Sequence, residues 1–109
     1  MHAVIFEVTV RDGCQDEYLA IAARLREKLS TVEGFISIER FQSLVTPGKL
    51  LSLSYWENEQ AILNWKAMEE HKAAQEKGRQ SIFEDYRICV AHVERDYTLA
   101  SSDFSASAA

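Results

Sequence analysis

The stretch FISIERFQSLVTPGKLLSLSYWE, residues 35–57, contains two runs rich in β-branched and aromatic residues with a turn signal between them. Pro47 and Gly48 suit the two central positions of a type II turn, because proline supplies the φ required at the first and glycine accepts a positive φ at the second. This stretch therefore predicts an antiparallel β-hairpin, with strands beginning at Phe35 and Lys49.

Amphipathic helices are predicted on both sides of this hairpin. The preceding helix begins near Cys14 and ends before Gly34, a residue that favours a helix stop. Its apolar residues recur every three or four positions: Tyr18, Ile21, Ala22, Leu25, Leu29 and Val32. The following helix is EQAILNWKAMEEHKAAQEKG, residues 59–78, with Asn58 as its N-cap and Gly78 as its end or as a bend.

The outermost segments, AVIFEVTV at residues 3–10 and YRICVAHVERDYTL at residues 86–99, have the composition of strands. The resulting order, β-α-β-β-α-β, is that of the ferredoxin-like α+β fold, in which a four-stranded antiparallel sheet carries both helices on one face. We expect one domain over residues 1–99. The tail at residues 100–109 is small and polar apart from Phe104, and we predict that it is disordered.

Neither face of the predicted sheet is polar. In the first strand Val4 and Phe6 alternate with Ala3 and Ile5, and the last strand shows a similar mixture. An antiparallel sheet that faces water on one side normally has a polar face there, so a sheet that is apolar on both faces needs a second cover. The sequence therefore predicts a homodimer packed sheet against sheet, a dimeric α+β barrel.

Composition and charge disfavour several classes of function. The net charge is −5, with 17 acidic and 12 basic residues and no basic stripe, which disfavours a nucleic-acid partner. No apolar run approaches the roughly 20 residues that cross a bilayer, so we expect no membrane partner. The N-terminus lacks a basic region before its apolar residues, so we expect no signal peptide and a cytoplasmic location. Cys14 and Cys89 have neither CxxC nor Cys/His spacing, which predicts neither a zinc site nor a disulfide.

Trp65 and His71 are the candidate functional residues of the second helix. At about 100° per residue, their spacing places them roughly 120° apart, so they reach one cavity only across a shared wall or through a bend. Each also has an ordinary structural interpretation, since an inward tryptophan is often core and a histidine in a charged helix is often solvated. Phosphate-binding glycine loops, nucleophile triads and paired metal ligands are absent from the sequence, so we predict no cofactor and no metal.

Four further residues are candidates for lining a pocket. Glu7 lies in an otherwise apolar strand, so either it reaches solvent at a sheet edge or it points into a cavity. Gln75 continues the inward stripe of the second helix. Phe83 and Tyr86 lie, together with Arg79, between that helix and the last strand, where a flap over a pocket would have to be.

Four segments between residues 3 and 98 have a recognisable combined pattern. They are AVIFEVTVRDGCQDEYLAIAARL, EGFISIERFQSL, LLSLSYWENEQAILNWKAMEEHKAAQEKGR and FEDYRICVAHVERDY. This pattern resembles the antibiotic biosynthesis monooxygenase family of dimeric ferredoxin-like proteins. The resemblance implies a pocket between the helices and the concave sheet of each protomer. It also implies a cofactor-independent monooxygenase, in which a small aromatic or quinol-like substrate itself reduces dioxygen.

The resemblance also implies roles for the candidate residues. Trp65 would pack against a flat substrate, and His71, with a pKa near its usual value, would accept a phenolic proton. The remaining candidates would line the substrate pocket: Glu7, Gln75, Phe83 and Tyr86.

Two alternatives from other classes of function stay open. A haem-degrading branch of the same family has an Asn on the first strand, a Trp on the second helix and an iron-ligating His ten residues after that Trp. Trp65 matches, but Gln75 stands at the histidine position and Glu7 lies at or next to the asparagine position, so haem binding is disfavoured. The other alternative is a non-catalytic small-molecule-binding dimer, with Trp65 in the core and His71 on the surface.

Overall fold

The predicted ferredoxin-like order is present in the computed structural model, which describes residues 1–101 without the side chains of residues 69, 70 and 80. The elements are β1 (His2–Val10), α1 (Gln15–Leu29), β2 (Phe35–Gln42), β3 (Lys49–Trp56), α2 (Glu59–Ala67), α3 (Glu69–Lys77), a π-helical turn (Gly78–Ile82) and β4 (Phe83–His92). The expected fold class is confirmed, with one difference. The segment predicted as a single second helix consists of two helices and a π turn.

The four strands form one antiparallel sheet in the order β2-β3-β1-β4, which places β1 and β3 in the centre. Phe6 of β1 lies opposite Ser52 of β3 on one side and opposite Ile88 of β4 on the other. Because side chains alternate between the two faces of a sheet, these three residues share one face. The helices pack on this face, and we call the opposite one the outer face.

Local signals explain both ends of the hairpin. The Lys49 amide donates to the Thr46 carbonyl at 3.3 Å, and Gly48 between them has a φ of +78°, as the predicted Pro-Gly turn requires. At the start of α2 the Asn58 carboxamide oxygen accepts a hydrogen bond from the Ala61 amide at 2.9 Å. The predicted N-cap is therefore confirmed.

The turn from α1 into β2 packs closely against the start of α2. Helix α1 ends at Leu29, several residues before the glycine expected to stop it. Gly34 instead has a φ of +90°, and a Cβ at this position would lie 2.7 Å from the Cβ of Ala61. Glycine is required here both by the backbone conformation and by the approach of α2.

The second helix is interrupted at Met68. This residue has an extended backbone, with φ −67° and ψ 135°, and it separates α2 from α3. After α3 the chain passes through the π turn, where the Phe83 amide donates to the Gly78 carbonyl. A Cβ at Gly78 would lie 2.6 Å from carbons of the Phe83 ring, so any larger residue here would require that ring to shift.

The buried core lies between the helices and the sheet in two clusters. One joins α1 and the π turn to the central strands, through Val8, Val10, Tyr18, Leu50 and Ile82. The other joins α1 and α2 to the end of β3, through Leu29, Trp56, Ala61, Ile62 and Trp65. Both clusters rest on the helix-facing side of the sheet.

The outer face carries apolar side chains and none of the helices. Ile5, Leu51, Leu53 and Tyr55 are partly buried there, and Phe41 is exposed. This is the face through which the sequence predicts dimerisation, and the dimer stays a prediction. Of the expected tail, only residues 100 and 101 belong to the described part of the chain, and Phe104 lies outside it.

Candidate functional site

A cavity of about 410 Å³ lies between the sheet and the helices. Its floor is formed by helix-facing residues of the four strands, and helix α1 forms one wall. The other wall, here called the broken-helix wall, is formed by cavity-lining residues of α2, α3 and the π turn, from Ile62 to Ile82. Most of the lining is apolar, which suits a small organic ligand.

Five of the six candidate residues line this cavity. They are Trp65, His71, Gln75, Phe83 and Tyr86. They come from α2, α3 and β4, so the break in the second helix and the π turn determine their relative positions.

Trp65 and His71 are in direct contact across the helix break. Their ring centroids are 4.7 Å apart and the planes are nearly perpendicular, at 85°. On one continuous helix the two side chains would point in directions about 120° apart. The extended backbone at Met68 redirects α3, so the bend that the sequence left open brings the two rings together. Trp65 is 6% exposed and therefore belongs to the core as well as to the wall.

His71 has the most unusual environment in the cavity. Both ring nitrogens are buried, and neither has a hydrogen-bond partner in the described part of the chain. Burial, and secondarily the charge of Lys66, lowers the pKa of His71 from its usual 6.5 to about 4. The expectation of a near-normal pKa is thus corrected. At neutral pH the imidazole is uncharged, with one nitrogen free to accept a proton and the other free to donate a hydrogen bond.

An aromatic group occupies the end of the cavity near the π turn. Phe6 lies 5.7 Å from Phe83 and 6.0 Å from Tyr86, and Tyr18 lies 5.8 Å from Phe83, all measured between ring centroids. The ring pairs are tilted or edge-on, as aromatic side chains prefer. A flat ligand would therefore meet the edges and faces of aromatic rings at this end.

Glu7 is the exception among the candidates. It lies on the outer face of β1, because Phe6 beside it faces the cavity. Its carboxylate oxygens lie 3.7 Å from the Lys49 ammonium and 3.9 Å from the Arg87 guanidinium. Glu7 therefore does not line the cavity. It forms partly exposed ion pairs with Lys49 and Arg87 on the opposite side of the sheet.

The sequence analysis missed two basic residues of the cavity, Arg40 and Lys66. Arg40 projects from the floor, and Lys66 and Arg79 lie on the broken-helix wall. A signal for Arg40 was available in the alternation of β2, because Arg40 and Ile38 are two residues apart and therefore share the helix-facing side. Helical periodicity also gave a signal for Lys66, which lies four residues after Ile62 on α2 and therefore on the same face, whereas the position of Arg79 depends on the π turn.

The described residues offer no ready-made metal centre. Among the side chains that the structure describes, no three or more His, Cys, Asp or Glu are grouped so that they could hold a metal ion. Within residues 1–101, no helix is both long enough and apolar enough to span a bilayer.

These features define a class: a ferredoxin-like α+β domain with a small-molecule cavity between its helices and its sheet. Residues 1–77 match the family model described as antibiotic biosynthesis monooxygenase, so the chain belongs to that family. The resemblance predicted from the sequence is confirmed.

Curated relatives agree with this membership. The chain is 44% identical over 93 residues to a protein of Pyricularia oryzae named jasmonate monooxygenase ABM, covering 85% of the chain but only 43% of that protein. It is 34% identical over 94 residues to the uncharacterised protein YqjZ of Bacillus subtilis, covering 86% of the chain and 80% of YqjZ. The chain thus spans less than half of the first relative and most of the second.

Solved structures share the fold at low sequence identity. SnoaB, a cofactor-independent oxygenase from Streptomyces nogalater, superimposes with a TM-score of 0.76 at 13% identity, over 87% of this chain and 94% of SnoaB. Rv0793 from Mycobacterium tuberculosis superimposes with a TM-score of 0.79 at 12% identity, over 89% of this chain and 98% of Rv0793. At these identities the similarity establishes the fold alone.

Proposed function

We propose that this chain is a cofactor-independent monooxygenase that acts on a small aromatic or quinol-like compound. The observation that carries the proposal is the pair formed by His71 and Trp65. An uncharged imidazole, whose two nitrogens have no hydrogen-bond partner among the described residues, lies edge-on against an indole inside an apolar cavity of about 410 Å³. A cavity of this kind can hold a flat substrate and accept a proton from it.

In the proposed reaction the substrate hydroxyl gives its proton to His71. The pKa of His71 is low in the empty cavity, but a phenolate formed beside it would stabilise the imidazolium, and Lys66 would stabilise the phenolate. The electron-rich anion then passes an electron to dioxygen, and the two radicals combine to form a C–O bond. One oxygen atom stays in the product as a quinone carbonyl, and the other leaves as water with two substrate hydrogens. The substrate supplies all four electrons, so no external reductant is consumed.

The relatives support oxygen chemistry without fixing the substrate. The Pyricularia oryzae protein is named a monooxygenase of jasmonate, and SnoaB is named a cofactor-independent oxygenase. We propose dioxygen as the second substrate on this basis. We also propose that the chain works as a homodimer joined through its outer face, because the apolar side chains there have no cover within residues 1–101.

Oxygen uptake tests the activity. The purified protein would be mixed with a panel of hydroquinones and dihydroxynaphthalenes, and the rate compared with that of His71→Gln. Loss of a general base typically lowers the rate by about 10²–10⁴-fold, and we expect a loss in this range. Lys72→Gln, an exposed change next to His71 on α3, is the matched control and should keep full activity. Equal turnover by the wild type and His71→Gln would contradict the assignment.

Haem binding is less well supported by the site. Gln75 stands on α3 where the haem-degrading branch has its iron ligand, and Glu7 lies on the outer face, away from the cavity. A titration with haemin, followed by absorbance, distinguishes the two functions. A saturable Soret shift that His71→Ala abolishes would replace the monooxygenase proposal. Absence of oxygen uptake with every compound, together with retained binding, would favour the non-catalytic alternative.

A further inference from the structure

We infer that Arg40 is an anion-binding residue of the cavity and that the substrate carries a carboxylate in addition to its apolar body. The inference rests on the proposed function only in taking this cavity as the substrate site. It concerns binding and does not require that oxygenation occur.

Arg40 is placed by the sheet to reach into the cavity. It lies on β2 directly opposite Ser52 of β3, and both residues line the cavity floor. Ser52 is buried, with 7% of its surface exposed, although serine is usually found at the surface. A guanidinium and a hydroxyl are therefore adjacent on a floor whose other lining residues are mostly apolar.

The guanidinium of Arg40 has no counter-ion in the described part of the chain. Its Nε is buried and unpartnered, and none of the carboxylates whose side chains the structure describes is paired with it. By contrast, Arg87 and Lys49 on the outer face both approach the carboxylate of Glu7. Buried polar groups are normally hydrogen-bonded, so an orphaned guanidinium N–H indicates a partner that comes from outside the chain.

The charge of the cavity is opposite to that of the chain. The protein has 17 acidic and 12 basic residues. Yet the charged side chains that line the cavity are Arg40, Lys66 and Arg79, with no Asp or Glu among the described lining residues. A site with this potential favours an anionic ligand. Lys66 and Arg79 are exposed and can steer such a ligand, whereas Arg40 is partly buried in the floor and can fix it.

The position of the unpartnered N–H on the Arg40 guanidinium favours a carboxylate in particular. Arginine binds carboxylates through two parallel N–H···O hydrogen bonds, and one such fork uses Nε together with a terminal nitrogen. The Nε of Arg40 is the atom that lacks a partner. The adjacent Ser52 hydroxyl can donate to the same carboxylate. Lysine could not reproduce this arrangement, because its ammonium is a single point charge.

Calorimetric titration at pH 7.5 with matched ligands tests the inference. The ligands are phenylacetate, phenylbutyrate and 1-naphthylacetate, each paired with its neutral amide, which has almost the same shape. We expect the wild-type protein to bind at least one acid about tenfold or more tightly than its amide, as suits a charge-assisted bidentate pair. Arg40→Gln should remove this preference and leave amide binding within about twofold, and Arg40→Lys should restore only part of it.

Arg87→Gln is the control, because it makes the same change of charge on the outer face. It should keep the full preference for acids. The inference is overturned if no acid binds more tightly than its amide. It is equally overturned if none of the acids binds at all. It is also overturned if Arg40→Gln keeps the preference while Lys66→Gln loses it. Failure of the oxygen-uptake experiment would leave these binding results unchanged, so the two proposals can fail separately.

Discussion

The floor of the cavity and its broken-helix wall are built in contrasting ways. The floor is a continuous antiparallel sheet whose side chains alternate between two faces, apart from register shifts at Thr9/Val10 and Phe35/Ser37. The wall is built from α2 and α3, which have nine residues each, and from the π turn that follows α3. One extended residue, Met68, separates α2 from α3. The wall carries His71, and the floor carries the deeply buried Trp56. We infer that the floor mainly provides stability and that the wall provides the chemistry.

A floor substitution should have the largest effect on folding. Trp56 is 2% exposed, packs against Phe35, and donates a hydrogen bond from its indole nitrogen to Ser54 at 2.9 Å. We expect Trp56→Ala to lower the free energy of unfolding by about 3–5 kcal/mol, because the change empties a large volume of core. Urea denaturation measures the loss. Trp56→Phe keeps a ring and should cost clearly less, and equal losses would mean that ring packing is not what stabilises the floor.

A wall residue should make stability depend on pH. The pKa of His71 is about 4 in the folded protein and near 6.5 in the unfolded chain, so the unfolded chain binds more protons between these values. The contribution of His71 to the free energy of unfolding is therefore constant above pH 6.5, and it falls as the pH drops towards 4. Partial exposure of His71 limits the effect to about 2 kcal/mol.

His71→Phe should lack this component while keeping contact with Trp65. The measurement is the difference in free energy of unfolding between the wild type and His71→Phe, followed from pH 7 to pH 4. A difference that stays constant over this range would show that His71 is not buried as the structure has it.

A substitution at the π turn should have the smallest effect. Alanine in place of a glycine with helical dihedrals usually stabilises, by roughly 0.5–1 kcal/mol. At Gly78, however, the new Cβ would lie 2.6 Å from the Phe83 ring. Overpacking typically costs about 1–3 kcal/mol, so we expect Gly78→Ala to be destabilising by about 1 kcal/mol net in thermal or urea unfolding. The double variant with Phe83→Leu should recover most of this loss, and a stabilising Gly78→Ala would refute the close contact.

The same contrast explains how much could be predicted from the sequence. Residues 35–58 predicted the hairpin, its Pro-Gly turn and the Asn58 cap, because those features follow from local conformational preferences. The break at Met68 had no local signal, since methionine favours helices and no proline or glycine is near it. Trp65 and His71 were identified by residue type, but their contact depends on that break. Glu7 was placed in the pocket because the first strand is apolar on both faces, so its alternation does not indicate which face carries the helices.

The π turn at residues 78–82 has a consequence for how sequences of this kind can change. A π turn closes over one residue more than an α-helical turn. A shift of β4 by one residue would move every side chain to the other face of the sheet. Tyr86, Ile88 and Val90 would leave the cavity, and Arg87, Cys89 and Ala91 would face it. Gain or loss of a single codon in this turn could thus exchange one lining for another in one event, whereas point substitutions replace the lining one residue at a time.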